Sequence, residues 1–122
     1  MEYILIGLGG ILGANARYLV AGWATRQFGV GFPYGTFLIN LSGSVVIGIF
    51  MALMARYPSQ HNLRLFFAVG FLGAYTTFST FSFESLQMLQ QGRPMLAFLY
   101  VVGSAALGIF GAWLGFLLGR SL

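Results

Sequence analysis

Four long apolar runs, interrupted by only three short turn-rich or polar stretches, constrain this chain more than any other feature. The runs extend from about Tyr3 to about Thr25, from about Gly35 to about Met54, from near Leu63 to near Gln90, and from about Met95 to about Leu118. One membrane helix needs ~20 mostly apolar residues. Four such helices would use roughly 80 of the 122 residues, and five would leave almost no loops. Charged residues make up 7% of the chain, where a soluble domain carries roughly 25%. The expected architecture is therefore all-α: one transmembrane domain over residues 1–122, with four helices and no room for a second domain.

The connections carry the expected punctuation. Pro33 closes a Gly-rich link after Arg26, Arg56 to Asn62 form the one clearly polar loop, and Gln91-Gly92-Arg93-Pro94 reads as a turn. Ala14-Asn15-Ala16 looks like a cleavage site after an apolar run, but Met1-Glu2-Tyr3 lacks the positive charge of a signal peptide, so the first run is read as a span.

Six Arg, no Lys and two Glu give a net charge of +4. The Arg stand apart at 17, 26, 56, 64, 93 and 120, so they form no basic patch for nucleic acid and read as flanks of spans. Arg56, Arg64 and Arg120 fall on the side of the termini; Arg26 and Arg93 fall opposite, with Arg17 leaning that way. Three against two or three barely sets an orientation. The balance favours insertion both ways round, for which an antiparallel homodimer is the simplest assembly. A single orientation with Arg17 inside the membrane stays open.

Lipid offers no hydrogen bonds, so polar residues at membrane depth must face protein or water, and they are the candidate functional residues. In the second run, Asn40, Ser44 and Gly48 repeat every fourth residue on one helix face. Ser42 and Ser44 suit helix–helix contacts; Asn40 suits that role and a functional one equally. In the third run, Tyr75 to Glu84 is hydroxyl-rich and aromatic, and Gly73 to Thr80 is an unusual stretch for a helix crossing a bilayer. A helix broken there would free backbone carbonyls that often hold cations, whereas an unbroken helix would bond its hydroxyls to its own i−4 carbonyls. Phe78 and Phe81 share a face next to Thr77, Ser79, Thr80 and Ser82. Phe rings at such positions ordinarily pack or face lipid, but the ring edge is the positive part of the aromatic quadrupole. Together with amide donors, such edges could hold an anion weakly enough to release it. Glu84, one turn beyond Phe81, is either a functional carboxylate or an interfacial one paired with Arg or solvent. In the fourth run Tyr100 and Ser104 share a face with Gly108.

The string Gly73-Ala74-Tyr75-Thr76-Thr77-Phe78-Ser79-Thr80-Phe81-Ser82 resembles the CrcB/Fluc family of small fluoride channels. Gly13-Ala14-Asn15-Ala16-Arg17-Tyr18, Gly35-Thr36-Phe37-Leu38-Ile39-Asn40, and Tyr100 with Ser104 fall in register with it, and the resemblance covers the whole chain. It implies a multi-pass protein of the cell (inner or plasma) membrane: a dual-topology antiparallel homodimer with two pores between its subunits, passing fluoride selectively and passively out of the cytoplasm. By position, the resemblance makes Phe78 and Phe81 the pore phenylalanines and Asn40 the pore amide. It puts Thr80, Ser82, Tyr100 and Ser104 in a polar track, Glu84 near a pore mouth, and Arg17 at the family's first-span arginine. It also implies a structural Na+ at the dimer centre, held by the backbone carbonyls of Gly73 and Thr76 where the third helix breaks. Ala74, in place of a frequent Gly, and Gly108, in place of a hydroxyl, depart from the pattern.

Two other classes compete. A proton-coupled small multidrug transporter also has four spans, but it needs a buried carboxylate that the first run lacks. An accessory subunit would account for the Gly faces and not for Asn40, Phe78 and Phe81. With one His, no Cys and no Asp, a hydrolase triad or a carboxylate pair has too few parts, which argues against an enzyme.

Overall fold

The computed structural model describes residues 1–122. Four helices are long and apolar enough to cross a membrane: Glu2–Phe28, Tyr34–Met54, His61–Gln90 and Pro94–Ser121. Each lies within a few residues of the run that predicted it. The shortest has 21 residues, which at ~1.5 Å per residue still exceeds the ~30 Å hydrocarbon core. The protein is a multi-pass membrane protein.

Short links make consecutive spans antiparallel, so the first and third run one way and the second and fourth the other. The packing joins spans of like direction. Along the first and third, Glu2 pairs with His61, Gly9 and Gly13 meet the backbones of Phe66 and Phe71, and Arg17 reaches Ala74. Along the second and fourth, Gly48 meets Ala112, Gly115 meets Val45 and Gly119 meets Ile49. Glycine allows this because no Cβ holds the neighbouring backbone away. A Cβ on Gly70 would lie 2.7 Å from the Ile6 carbonyl oxygen. Without a hydrophobic drive between helices in lipid, backbone approach of this kind supplies much of the association.

The third span is the irregular one. After a turn at His61–Leu63 it is π-helical over Arg64–Leu72, the stretch facing Gly9 and Gly13 of the first span. It resumes as α-helix over Gly73–Tyr75, and a further helix starts at Ser79 and ends at Gln90. Thr76 between them is extended, with φ −80° and ψ 159°.

Arginines fasten the helix ends on the side of the termini. Arg56 donates from Nη1 to the Leu122 carbonyl at 2.9 Å and from Nη2 to Gly119 at 3.1 Å and to Arg120. Arg64 donates to the Met54 carbonyl at 2.9 Å. Both place a cation on the orphan carbonyls of a helix C-terminus, where it is stabilising. On the opposite side Arg93 donates to Gly31 at 3.0 Å.

Candidate functional site

Asn40 and Arg17, among the polar residues expected at membrane depth, meet the third span at the non-helical step around Thr76 and Thr77, and the step is built from diverted hydrogen bonds. Thr76 N–H still closes an α-helical bond to the Leu72 carbonyl at 3.1 Å, and its hydroxyl donates to the same oxygen at 2.9 Å. Thr77 N–H does not continue the ladder to Gly73; it donates instead to Asn40 Oδ1 at 2.9 Å. Asn40 Nδ2 returns a bond to the Thr77 carbonyl at 3.0 Å. A side-chain amide thus pairs with both polar groups of the Thr77 backbone, next to the extended Thr76. Three residues on, Thr80 N–H, in the first turn of the next helix, donates to Thr77 Oγ1 at 3.3 Å. The Ala74 carbonyl is met by Arg17 Nε at 3.0 Å.

A groove of about 400 Å³ opens beside this step and is lined by Asn40, Gly43, Ser44, Gly73, Thr76 and Thr77, among others. Gly43 is required there, since a Cβ would collide with the Thr76 methyl group. Ser44 spends its hydroxyl on the Asn40 carbonyl at 2.8 Å. Ser42 bonds the Ile39 carbonyl and the Tyr75 hydroxyl, each within 3.1 Å. Both serines thus act within or between helices, and Asn40 alone of this face reaches the third-span backbone.

Phe78 and Phe81 lie with ring centroids 5.9 Å apart, tilted by 50°. Phe78 is 79% exposed, its ring standing off the bundle surface. Phe81 is partly buried and packs against Tyr100 at 5.0 Å. Tyr100, 2% exposed, also meets Phe32 edge-on at 5.3 Å.

Glu84 lies among hydroxyls rather than beside an arginine. Tyr100 donates to Oε1 at 2.9 Å, and Thr36, 6% exposed, donates to Oε2 at 2.9 Å. The carboxylate borders a cavity of about 210 Å³ that also takes in Thr25, Gly31, Gln87, Gln91 and Arg93, next to the links. Thr36 is the functional partner that sequence reasoning did not single out. A threonine near the start of a span carries no periodic signal, and only its distance from Glu84 reveals it.

The remaining candidates take separate places. Arg17, Thr36, Thr77 and Thr80 line a second cavity of about 220 Å³ behind the step. Thr80 and Ser82 are exposed on the outer side of the helix that starts at Ser79. Ser104 on the fourth span has its Oγ buried without a hydrogen-bond partner, so its O–H is free to donate. No group of three or more His, Cys, Asp or Glu side chains comes together, so a cation seated in this bundle would rely on backbone and hydroxyl oxygens.

Residues 4–116 match the family model described as CrcB-like protein, Camphor Resistance (CrcB). A relative from Acidobacterium capsulatum named fluoride-specific ion channel FluC is 45% identical, covering 100% of this chain and 98% of its own. One of the same name from Thermus thermophilus is 43% identical over 99% of this chain and 95% of its own. A third, from Phocaeicola vulgatus, is 45% identical over 92% of this chain and 93% of its own. The likeness runs through all four spans, and the chain belongs to the CrcB family.

Proposed function

We propose that this chain is a fluoride-selective channel that lets the ion leave the cytoplasm passively across the cell membrane. The observation that carries the reading is the end-to-end likeness to relatives named as fluoride-specific ion channels. Such a protein is a conduit and not an enzyme. Nothing in that likeness favours the proton-coupled transporter.

Two copies inserted in opposite directions build the pores where they meet. Support comes from the groove at the Thr76–Thr77 step. The step lies at the midpoint of the 30-residue third span, hence deep in the hydrocarbon. A groove at that depth lined by Asn40 and freed backbone cannot face acyl chains without leaving polar groups unsatisfied. A second copy covers it. The near-balance of Arg between the two sides agrees with insertion both ways.

The chain's residues replace water around a small anion by several weak donors. An asparagine amide has two N–H groups. One is spent on Thr77, which fixes the amide plane and aims the other. The Phe78 and Phe81 ring edges supply partial positive charge without a full cation. The exposed hydroxyls of Thr80 and Ser82, the free hydroxyl of Ser104, and Tyr100 continue a polar track. Weak, multiple contacts suit conduction, which fails when binding is too strong to leave. Glu84, bordering the cavity next to the links, stands at a pore mouth. Arg17 holds the end of the first half of the third span through Ala74.

The chain also fits the sodium ion that the family resemblance implies at the dimer centre. Thr77 N–H and Thr80 N–H both bond elsewhere, so neither closes the helical bond to Gly73 C=O or to Thr76 C=O. Neutral carbonyl oxygens are hard ligands of the kind that hold alkali cations. Two from each subunit would make four, and the bound cation would tie the two copies together.

The test is ion flux from liposomes reconstituted with the purified protein. Fluoride is expected to leave, with no comparable chloride efflux. Well-folded protein that fails to move fluoride removes the channel reading.

A further inference from the structure

Four carbonyls, from Gly73 to Thr76, lose their helical donors at the step; Ala74 receives Arg17 instead, and for Gly73 and Thr76 a side chain takes the donor. Asn40 Oδ1 accepts Thr77 N–H at 2.9 Å, the hydrogen that would otherwise close a bond to Gly73 C=O. Thr77 Oγ1 accepts Thr80 N–H at 3.3 Å, the hydrogen that would otherwise close a bond to Thr76 C=O. An unoccupied helical carbonyl in a low-dielectric interior is costly, so without these acceptors the ladder tends to close over the step. The extended backbone at Thr76, with ψ 159°, is the conformation such closure would abolish. We propose that Asn40 and Thr77 are positioning residues for a monovalent-cation seat, each capturing one amide hydrogen so that the Gly73 and Thr76 carbonyls stay outside the helix ladder and point at the cation.

This assignment rests on the sodium reading given above and adds to it which side chains create the seat. It also gives Asn40 two duties. Its Oδ1 and one N–H hold the step, and its second N–H is left for the anion path. The amide thereby links the cation seat to the fluoride route through a single rigid group.

The measurement is the sodium concentration at half-maximal stabilisation of the purified dimer. It is read as thermal midpoint against sodium, with N-methylglucamine replacing it at constant ionic strength. Thr77→Val keeps the shape and removes the acceptor. Its half-saturating sodium concentration should rise about tenfold, since the net worth of one hydrogen bond reaches about that factor. Thr77→Ser restores a hydroxyl and should return to within about threefold of the parent, less than half that effect on a logarithmic scale. Asn40→Leu tests the other carbonyl and should shift the sodium requirement in the same direction. Either variant decides the matter if the other does not yield a monodisperse dimer. A shift in the sodium requirement that Thr77→Ser rescues identifies positioning, because a general loss of packing lowers the midpoint without moving the half-saturation. Unchanged half-saturation in Thr77→Val and Asn40→Leu, with the parent sodium-dependent, overturns the assignment and leaves the sodium reading standing. A parent protein indifferent to sodium removes both.

Discussion

Replacing Tyr100 by Phe isolates one contact in the hydroxyl cluster around Glu84. The hydroxyl is 2.9 Å from Oε1, and the ring is 2% exposed, so no water stands ready to substitute. Thr36 makes the matching bond to Oε2 at 2.9 Å and is nearly as buried. Hydrogen bonds to a charged acceptor contribute ~1.5–3 kcal/mol. Tyr100→Phe removes one such bond with hardly any change in shape, so its expected cost is about 2 kcal/mol, and Thr36→Val should cost about the same. The two donors serve one carboxylate, so their effects are not independent. Groups in one network show coupling of ~0.5–3 kcal/mol, and the double variant should depart from additivity by at least ~0.5 kcal/mol. Reversible unfolding in mixed micelles, followed by tryptophan fluorescence, gives all four corners of the cycle. A Tyr100→Phe protein within ~0.5 kcal/mol of the parent, together with an additive double variant, would refute the bridge, because surface substitutions alone reach that level.

Three further outcomes follow from the packing and the candidate path. Gly70→Ala should destabilise by ~1–3 kcal/mol, the usual cost of overpacking, because the new Cβ would meet the Ile6 carbonyl oxygen at 2.7 Å. Gly7→Ala, with nothing within 4 Å, should stay within ~0.5 kcal/mol in the same unfolding assay. Phe81→Ile should stop fluoride flux in liposomes while the protein keeps its elution profile, and unchanged flux would show that the ring edge plays no part in the path.

The spans were legible because lipid demands an uninterrupted apolar run of a certain length, and few other folds tolerate one. The functional candidates were legible for the converse reason: a polar residue inside such a run stands out. Asn40 could be singled out by its place on a face of small residues, yet its partner could not, since that partner is the backbone of Thr77. Glu84 read equally as a functional carboxylate or an interfacial one, and neither reading named the two hydroxyls that meet it, from Thr36 near one span's start and Tyr100 on another span. Neither distance is encoded in local periodicity. The π-helical register of Arg64–Leu72 also lacks a local signal. It coincides with the approach of Gly9 and Gly13 and belongs to packing between spans. Arg56 read as a topological flank, and its grip on the last carbonyls of the fourth span depended on that span running parallel to the second.

Phe81 does not hang free. Its ring leans on Tyr100 at 5.0 Å, Tyr100 abuts Phe32 at 5.3 Å, and Phe32 abuts Tyr34 at 5.0 Å. Tyr34 in turn meets Phe28 at 5.3 Å, and Phe28 meets Trp23 at 5.8 Å. The series behaves as a gear train. Its inner wheel stands beside the step at Thr76 and its outer wheel near the first inter-helix link, so each ring bears on the next. A swivel of Phe81 must therefore slip past Tyr100, which the Glu84 carboxylate latches in place.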